Sequence, residues 1–133
     1  MIDFFKLSPR LSRIQYLSQL SIWAGIIGLA ALAKSAHGPA ALLLKPAGIA
    51  IAVIAVINVL FVKIRRLHDF NFSAWWIILT LIPVIGEVWL FFVLFIPGSF
   101  GINRYGNPPR ENTGSDYLYL LFAPAVYIIL KSF

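Results

Sequence analysis

The sequence predicts an all-α, multi-pass transmembrane protein with three spanning helices and a short hydrophobic helix near its C-terminal end. Of the 133 residues, 60% are hydrophobic and only 12% are charged, whereas roughly 25% are charged in an average soluble domain. A soluble chain of this length could not bury so much apolar surface. The eleven Lys and Arg residues lie at the ends of apolar runs. This pattern predicts anionic membrane lipids as partners, and no nucleic acid.

Two uninterrupted apolar runs predict the first two spans. The first, residues 14–33, is about 20 residues long, which suffices to cross a bilayer and exceeds the core of a cleavable signal peptide. The second, residues 46–65, starts with Pro46, a residue that the first turn of a helix tolerates. Asn58 is the single polar residue between Pro46 and Val62. We therefore predict two ordinary transmembrane helices over these ranges.

The third apolar run, residues 74–96, is long enough to cross but carries Pro83 and Gly86 near its middle. A proline there removes a backbone hydrogen bond, so we predict a spanning helix kinked at Pro83–Gly86, with a re-entrant hairpin as the alternative. Residues 117–131 are apolar but short for a full crossing. They are predicted to form either an interfacial helix or a fourth span. All of these segments belong to one integral-membrane domain, residues 1–133.

The distribution of basic residues predicts the orientation. With three spans, six Lys and Arg residues share the side of the N-terminus and four lie on the other side. The two groups are Lys6, Arg10, Arg13, Lys63, Arg65 and Arg66 against Lys34, Lys45, Arg104 and Arg110. If the third run is re-entrant, Arg104 and Arg110 change sides and the count becomes eight against two. Both counts favour a cytoplasmic N-terminus.

The segment between the second and third runs concentrates the polar chemistry. We predict that it forms one anion site with the basic residues near the N-terminus, because guanidinium groups bind phosphate and carboxylate in a bidentate manner. The residues of this site are Arg10, Arg13, Arg65, Arg66, His68 and Asp69. The simpler alternative is that the basic side chains hold lipid phosphates, while Asp69 caps a helix or pairs with an arginine. Trp75 and Trp76 are predicted to anchor the membrane interface.

Glu87 is the second candidate for function. A carboxylate inside a membrane is costly and is a functional-site hypothesis by default. With Asn58 it would form the polar pathway of an oligomeric transporter or channel subunit, unless the break at Pro83 brings Glu87 to water. The sequence contains no catalytic fingerprint and no cysteine. We therefore predict no enzyme activity, no catalytic residue, no cofactor and no metal site.

Three segments resemble DUF805, a family of small bacterial inner-membrane proteins of unknown function. The first contains Phe4-Phe5 and Pro9 to Arg13. The second is Arg65 to Asp69, followed at fixed spacing by Trp75-Trp76 and Ile82 to Gly86. The third runs from Pro97 to Pro109 and includes the motif loop Asn103, Arg104, Tyr105 and Gly106.

Three positions depart from the family's pattern. Pro9 and Leu17 replace its glycine and tryptophan, and Asn71 replaces a turn glycine. Asparagine tolerates a positive φ, so the last exchange preserves the turn. The resemblance implies a multi-pass membrane protein and no particular reaction. We expect a scaffold or accessory subunit that binds lipid, a second copy of itself or another membrane protein through its cytoplasmic arginine cluster.

Overall fold

The structure is a computed structural model, and it describes residues 10–132. The described residues form helices and contain no β-strand, which confirms the all-α part of the predicted fold class. The chain divides into two compact units. Of the described residues, the first unit comprises 10–16 and Val62–Asn112, and the second comprises Leu17–Phe61 and 113–132. The sequence motifs at Phe4-Phe5 and Pro9 lie outside the described residues.

Two helices are long and apolar enough to cross a membrane. Helix α1 is Arg13–Lys34 and helix α2 is Ala41–Asp69, with 22 and 29 residues. At 1.5 Å per residue they measure about 33 and 44 Å, more than the hydrocarbon core of a bilayer. Only 22% and 17% of their most apolar stretches are buried within the structure. Such exposure is unlike the core helix of a soluble protein. Helix α2 begins five residues before the predicted start at Pro46, which lies inside the helix.

The third apolar run forms two short helices that lie against each other. A 3₁₀ helix covers Ala74–Leu81, and helix α3 covers Ile85–Phe95. The indole ring of Trp89 on α3 lies 5.7 Å from that of Trp76 on the 3₁₀ helix, measured between centroids. It lies equally far, 5.7 Å, from the ring of Phe72. This aromatic contact holds the two arms together as a helical hairpin.

Both ends of the hairpin meet the last residues of α2. At its start, the backbone N–H groups of Phe70 and Phe72 donate to the carbonyl of Leu67, each at 3.0 Å. Between them Asn71 adopts a φ of 63°, the conformation that asparagine tolerates. At its end, the N–H of Ser99 donates to the carbonyl of Asp69 at 2.7 Å. The chain thus leaves α2 at Asp69 and returns to the same place thirty residues later.

The expectation of one kinked helix over residues 74–96 is therefore wrong in its geometry. Pro83 does not bend a continuous helix; it stands in the turn of a hairpin. Gly86 allows the arms to approach, because a Cβ there would lie 2.9 Å from the carbonyl oxygen of Thr80. The structure has the hairpin geometry of the alternative. Entry of this hairpin into a membrane stays a prediction, and the predicted span count of three or four is not confirmed.

A tight, strained turn closes the hairpin. Val84 has φ 66° and ψ −53°, and the N–H of Ile85 donates to the carbonyl of Pro83 at 2.8 Å. This is the geometry of a γ-turn of the rare, strained kind. A β-branched residue at positive φ is a genuine outlier, with a cost of about 1–3 kcal/mol.

Replacing Val84 with glycine is expected to stabilise the protein by about 1 kcal/mol, because glycine adopts positive φ without a steric penalty. The control is Val88→Gly, since Val88 is equally exposed but lies inside α3. That substitution should cost about 0.5–1 kcal/mol through helix propensity. Thermal unfolding in detergent, followed by tryptophan fluorescence, compares the two variants. A Val84→Gly variant as destabilised as Val88→Gly would contradict the strained turn.

In the second unit the C-terminal helices lie along α1. They are α4, Gly114–Tyr119, and α5, Phe122–Lys131. The hydroxyl of Ser18 donates to the carbonyl of Asp116. One turn further along α1, the Ser21 hydroxyl donates to the carbonyl of Leu120 at 3.1 Å and accepts the N–H of Ala123 at 3.0 Å.

Residue numbers rise together in these contacts, so the C-terminal helices run parallel to α1. The helical region begins at Gly114, not at residue 117 as predicted. Its start is fixed by a capping box, in which Thr113 and Asp116 exchange side-chain to backbone hydrogen bonds. That box is a standard device for pairing the first N–H groups of a helix.

Candidate functional site

A buried carboxylate between two buried arginines occupies the centre of the first unit. Arg10 donates from Nε and Nη2 to Oδ1 of Asp69, at 3.1 and 3.0 Å. Arg66 donates from Nη1 to Oδ2 at 2.5 Å. The side chains of both arginines are completely buried, and that of Asp69 is 5% exposed. Buried charges need such pairing, because each loses its hydration on folding.

The other guanidinium donors bind backbone carbonyl groups. Arg10 reaches the carbonyls of Ser99 and Gly101, each at 2.6 Å. Arg66 reaches those of Leu11, Val93 and Ile96, at 3.1, 3.0 and 2.7 Å. Both arginines therefore tie the end of α2 to the segments that follow α3 and precede α1. We call Arg10, Asp69 and Arg66, with these carbonyl groups, the arginine network.

This network corrects one expectation about the predicted anion site. The structure does bring Arg10, Arg66 and Asp69 together, at distances that the sequence did not specify. Every donor nitrogen of the two guanidinium groups, however, contacts an oxygen atom within the protein. Arg10 and Arg66 therefore act as internal cross-links. The simpler alternative, in which Asp69 pairs with an arginine, describes the observed contact.

Gly98 makes the network possible. A Cβ atom on Gly98 would lie 1.9 Å from Oδ2 and 2.3 Å from Cγ of Asp69. Both distances are far below van der Waals contact, so a side chain here cannot coexist with the carboxylate in its observed position. Neither Gly98 nor Ser99 was a predicted site residue, although both lie within the Pro97 to Pro109 motif.

The motif loop closes over the end of α2. Asn103 and Gly106 exchange backbone hydrogen bonds of 3.1 and 3.0 Å, and the side-chain amide of Asn103 donates to the carbonyl of His68 at 2.9 Å. The ring of Tyr105 stacks on the imidazole of His68, with centroids 3.9 Å apart and planes inclined by 8°. The guanidinium carbon of Arg104 lies 4.8 Å from the Tyr105 ring centroid. His68 thus stacks on an aromatic ring, while its neighbour Asp69 faces the arginines.

An open cleft of about 220 Å³ lies beside the arginine network. Its lining includes Arg13, Arg110 and Glu111, and Arg66 and Asp69 also border it. Arg13 is exposed and uses Nη1 to donate to the carbonyl of Phe95 at 3.2 Å. We call this feature the Arg13–Arg110 cleft. Arg13 is the predicted anion-site residue that is exposed and also lines the Arg13–Arg110 cleft.

Side-chain amides and hydroxyls near the start of α1 hold the far wall of the cleft. The Ser12 hydroxyl donates to the side-chain oxygen of Asn112 at 2.7 Å, and the Gln15 amide donates to the carbonyl of Arg110 at 2.7 Å. Ser12 and Gln15 also exchange side-chain to backbone hydrogen bonds of 3.3 Å, which is a capping box for α1. Arg110 was not a predicted site residue. The charge count for a re-entrant third run, which moves Arg110 to the side of Arg13, was the signal that pointed to it.

The remaining candidates are dispersed. Arg65 is half-buried and Trp75 is 78% exposed, whereas Trp76 packs on Trp89. Glu87 is exposed in the first turn of α3, where a negative charge is favoured by the helix dipole. The amide of Asn58 donates to the carbonyl of Ile54 in its own helix at 2.8 Å. Within residues 10–132 no group of three metal-ligating side chains occurs.

Comparison with known proteins assigns the chain to a family. A family model described as a protein of unknown function, DUF805, matches residues 4–107. Inner membrane protein YhaH of Escherichia coli (strain K12) is 49% identical over 51 residues, which are 37% of this chain and 40% of YhaH. Inner membrane protein YhaI of the same organism is 46% identical over 54 residues, 39% of this chain and 44% of YhaI.

The chain thus spans about two fifths of the length of the curated relatives that it matches. No solved structure matches it.

Proposed function

Since the chain belongs to the DUF805 family, and its Escherichia coli relatives are inner membrane proteins, we propose that it is a multi-pass protein of a bacterial inner membrane with a cytoplasmic N-terminus. The apolar, largely exposed helices α1 and α2 support membrane crossing. The hairpin supports the orientation, because it returns the chain to the end of α2. Arg104 and Arg110 then share a side with Arg13 and Arg65, which gives the count of eight basic residues against two.

Within this setting the proposed role is an accessory subunit that binds the headgroup of an anionic phospholipid in the Arg13–Arg110 cleft. The observation that carries the proposal is that two arginines on separate segments line one open cleft of about 220 Å³. Guanidinium groups form strong, often bidentate hydrogen bonds with phosphate oxygens.

The location of the cleft favours a lipid over a soluble anion. Arg13 is the first residue of α1, so the cleft lies where an apolar helix begins. Phospholipid headgroups are concentrated at that level of a membrane, and the cytoplasmic leaflet is rich in anionic lipids. The arginine network behind the cleft holds its walls without competing for the ligand, because its donors are already paired.

The double variant Arg13→Gln/Arg110→Gln is expected to retain at least tenfold less phosphatidylglycerol than the unmodified protein. Charge-assisted hydrogen bonds contribute about 1.5–3 kcal/mol each, and about 1.4 kcal/mol corresponds to a factor of ten in affinity. Native mass spectrometry of protein released from nanodiscs that contain phosphatidylglycerol and phosphatidylcholine measures the bound lipid.

The matched control is Arg104→Gln. It removes one charge from an exposed arginine of the same unit, and it is compared with each single variant, Arg13→Gln and Arg110→Gln. Arg104 lies over the Tyr105 ring and does not line the cleft. We expect this control to retain phosphatidylglycerol as the unmodified protein does. If the control and the cleft variant lose lipid equally, binding reflects general charge and the proposed site is wrong.

A further inference from the structure

Two large apolar side chains of the Pro97 to Pro109 segment, just before the motif loop, point away from the protein. Phe100 is 94% exposed and Ile102 is 76% exposed, on either side of Gly101. Single exposed apolar residues are common on protein surfaces. Two almost fully exposed ones within three residues of an irregular loop form an apolar tip. We call Phe100, Gly101 and Ile102 the loop tip.

The backbone of the loop tip is held in place by side chains of the same unit. Nη2 of Arg10 binds the carbonyl of Ser99 and Nη1 binds that of Gly101, each at 2.6 Å. On the far side, the amide of Asn103 donates to the Ser99 hydroxyl at 2.9 Å. A shift of the loop backbone that carried Phe100 toward its own chain would break contacts to a guanidinium that is itself buried. The exposure is therefore a property of the folded unit.

The loop tip is attached to the end of an apolar helix. The N–H and the hydroxyl of Ser99 both donate to the carbonyl of Asp69, at 2.7 and 2.8 Å. Asp69 is the last residue of α2, and Ser99 immediately precedes Phe100. Phe100 therefore directly follows a residue that is hydrogen-bonded to the last residue of α2, where the candidate span ends. Arg104, two residues beyond Ile102, is exposed as well.

We propose that Phe100 and Ile102 insert into the interface of the bilayer, at the boundary between headgroups and acyl chains of the leaflet where α2 ends. Exposed apolar side chains suit this boundary, because they leave water there while the polar backbone of the loop stays at the level of the headgroups. The loop then acts as a surface anchor that holds the arginine network against the membrane. This inference depends on the membrane location of α2 and not on the Arg13–Arg110 cleft.

The absence of cysteine from the sequence permits a direct test. The variants Phe100→Cys, Ile102→Cys and Asn107→Cys each provide one site for a nitroxide spin label. Asn107 is an exposed, polar position of the same loop region and serves as the matched control. Phe100 and Ile102 bury little surface, so their replacement should leave the fold intact, which near-ultraviolet circular dichroism checks. The labelled full chain is reconstituted in phosphatidylethanolamine and phosphatidylglycerol vesicles.

Power-saturation electron paramagnetic resonance then measures the accessibility of each label to oxygen, which partitions into lipid, and to a water-soluble nickel chelate. Labels at positions 100 and 102 are expected to be several-fold more accessible to oxygen than to nickel, and the label at position 107 to show the reverse. Nickel accessibility at 100 and 102 equal to that at 107 would overturn the proposal. Shielding from both reagents would also overturn it, because a protein would then cover the tip. Failure of the lipid-retention experiment would leave this result unchanged.

Discussion

Asp69→Asn is expected to lower the free energy of unfolding by about 3–5 kcal/mol, because it leaves two buried guanidinium groups without their counter-charge. Asparagine has nearly the same shape as aspartate, so packing is preserved and the effect isolates the charge. Its amide group also presents hydrogen atoms to a guanidinium where the carboxylate presented an oxygen. Arg10 and Arg66 each bind one of the two carboxylate oxygens, so at least one of these contacts becomes repulsive.

Two measurements check this result. Thermal unfolding in detergent gives the loss of stability, and hydrogen exchange shows where it arises. The backbone N–H of Ser99, which donates to the Asp69 carbonyl, should exchange much faster in the variant. Glu111→Gln is the control, since it removes a carboxylate from an exposed position of the same unit. Equal stability of Asp69→Asn and Glu111→Gln would show that the buried charges do not depend on Asp69.

Gly98→Ala is expected to be as damaging as Asp69→Asn, although it adds a single methyl group. The new Cβ would lie 1.9 Å from Oδ2 of Asp69, and an overpacked position typically costs about 1–3 kcal/mol before any ion pair is lost. Here the methyl group must displace the carboxylate that both arginines bind, so we expect a loss of at least about 3 kcal/mol.

The control for this prediction is Gly114→Ala. Gly114 lies in the first turn of α4, and a Cβ there meets no atom within 4 Å. Alanine should be neutral or slightly stabilising at that position, because it favours the helix. A double-mutant cycle tests the cause. In an Asp69→Ala background the methyl group has no carboxylate to displace, so Gly98→Ala should cost much less than in the unmodified protein. Additive effects would contradict the clash.

The sequence predicted the helical class and the first two apolar helices because their signals are local. A continuous apolar run about 20 residues long requires no knowledge of its partners to be recognised as a membrane-spanning helix. The boundaries were less accurate, since α2 extends from Ala41 to Asp69 whereas the predicted range was 46–65. Residues such as Leu42 and Leu43 belong to the helix, and the proline at position 46 did not mark its start.

The geometry of the third apolar run, residues 74–96, could not be predicted from neighbouring residues. Pro83 and Gly86 signalled a break, but a kink and a hairpin require the same residues. The choice depends on whether Trp76 and Trp89 meet and whether Ser99 returns to Asp69. These contacts join residues that lie far apart in the sequence, so no window of neighbouring residues contains them.

The arginine network also combines features that the sequence predicted with features that depend on the fold. The predicted orientation placed Arg10, Arg66 and Asp69 among six residues of one anion site, and the sequence did not distinguish these three from the others. The role of each residue depended on contacts across the fold. Arg10 meets carbonyl groups about ninety positions away, and Gly98 supplies the space for the carboxylate. Because a charge removed from water must be paired inside the protein, the two buried guanidinium groups bind oxygen atoms of their own chain. The sequence had predicted that they bind an external anion. The sequence alone therefore indicated an all-helical membrane protein with clustered basic residues. The packing of distant segments decided the role of each arginine: the exposed Arg13 lines an open cleft, while the buried Arg10 and Arg66 cross-link the chain.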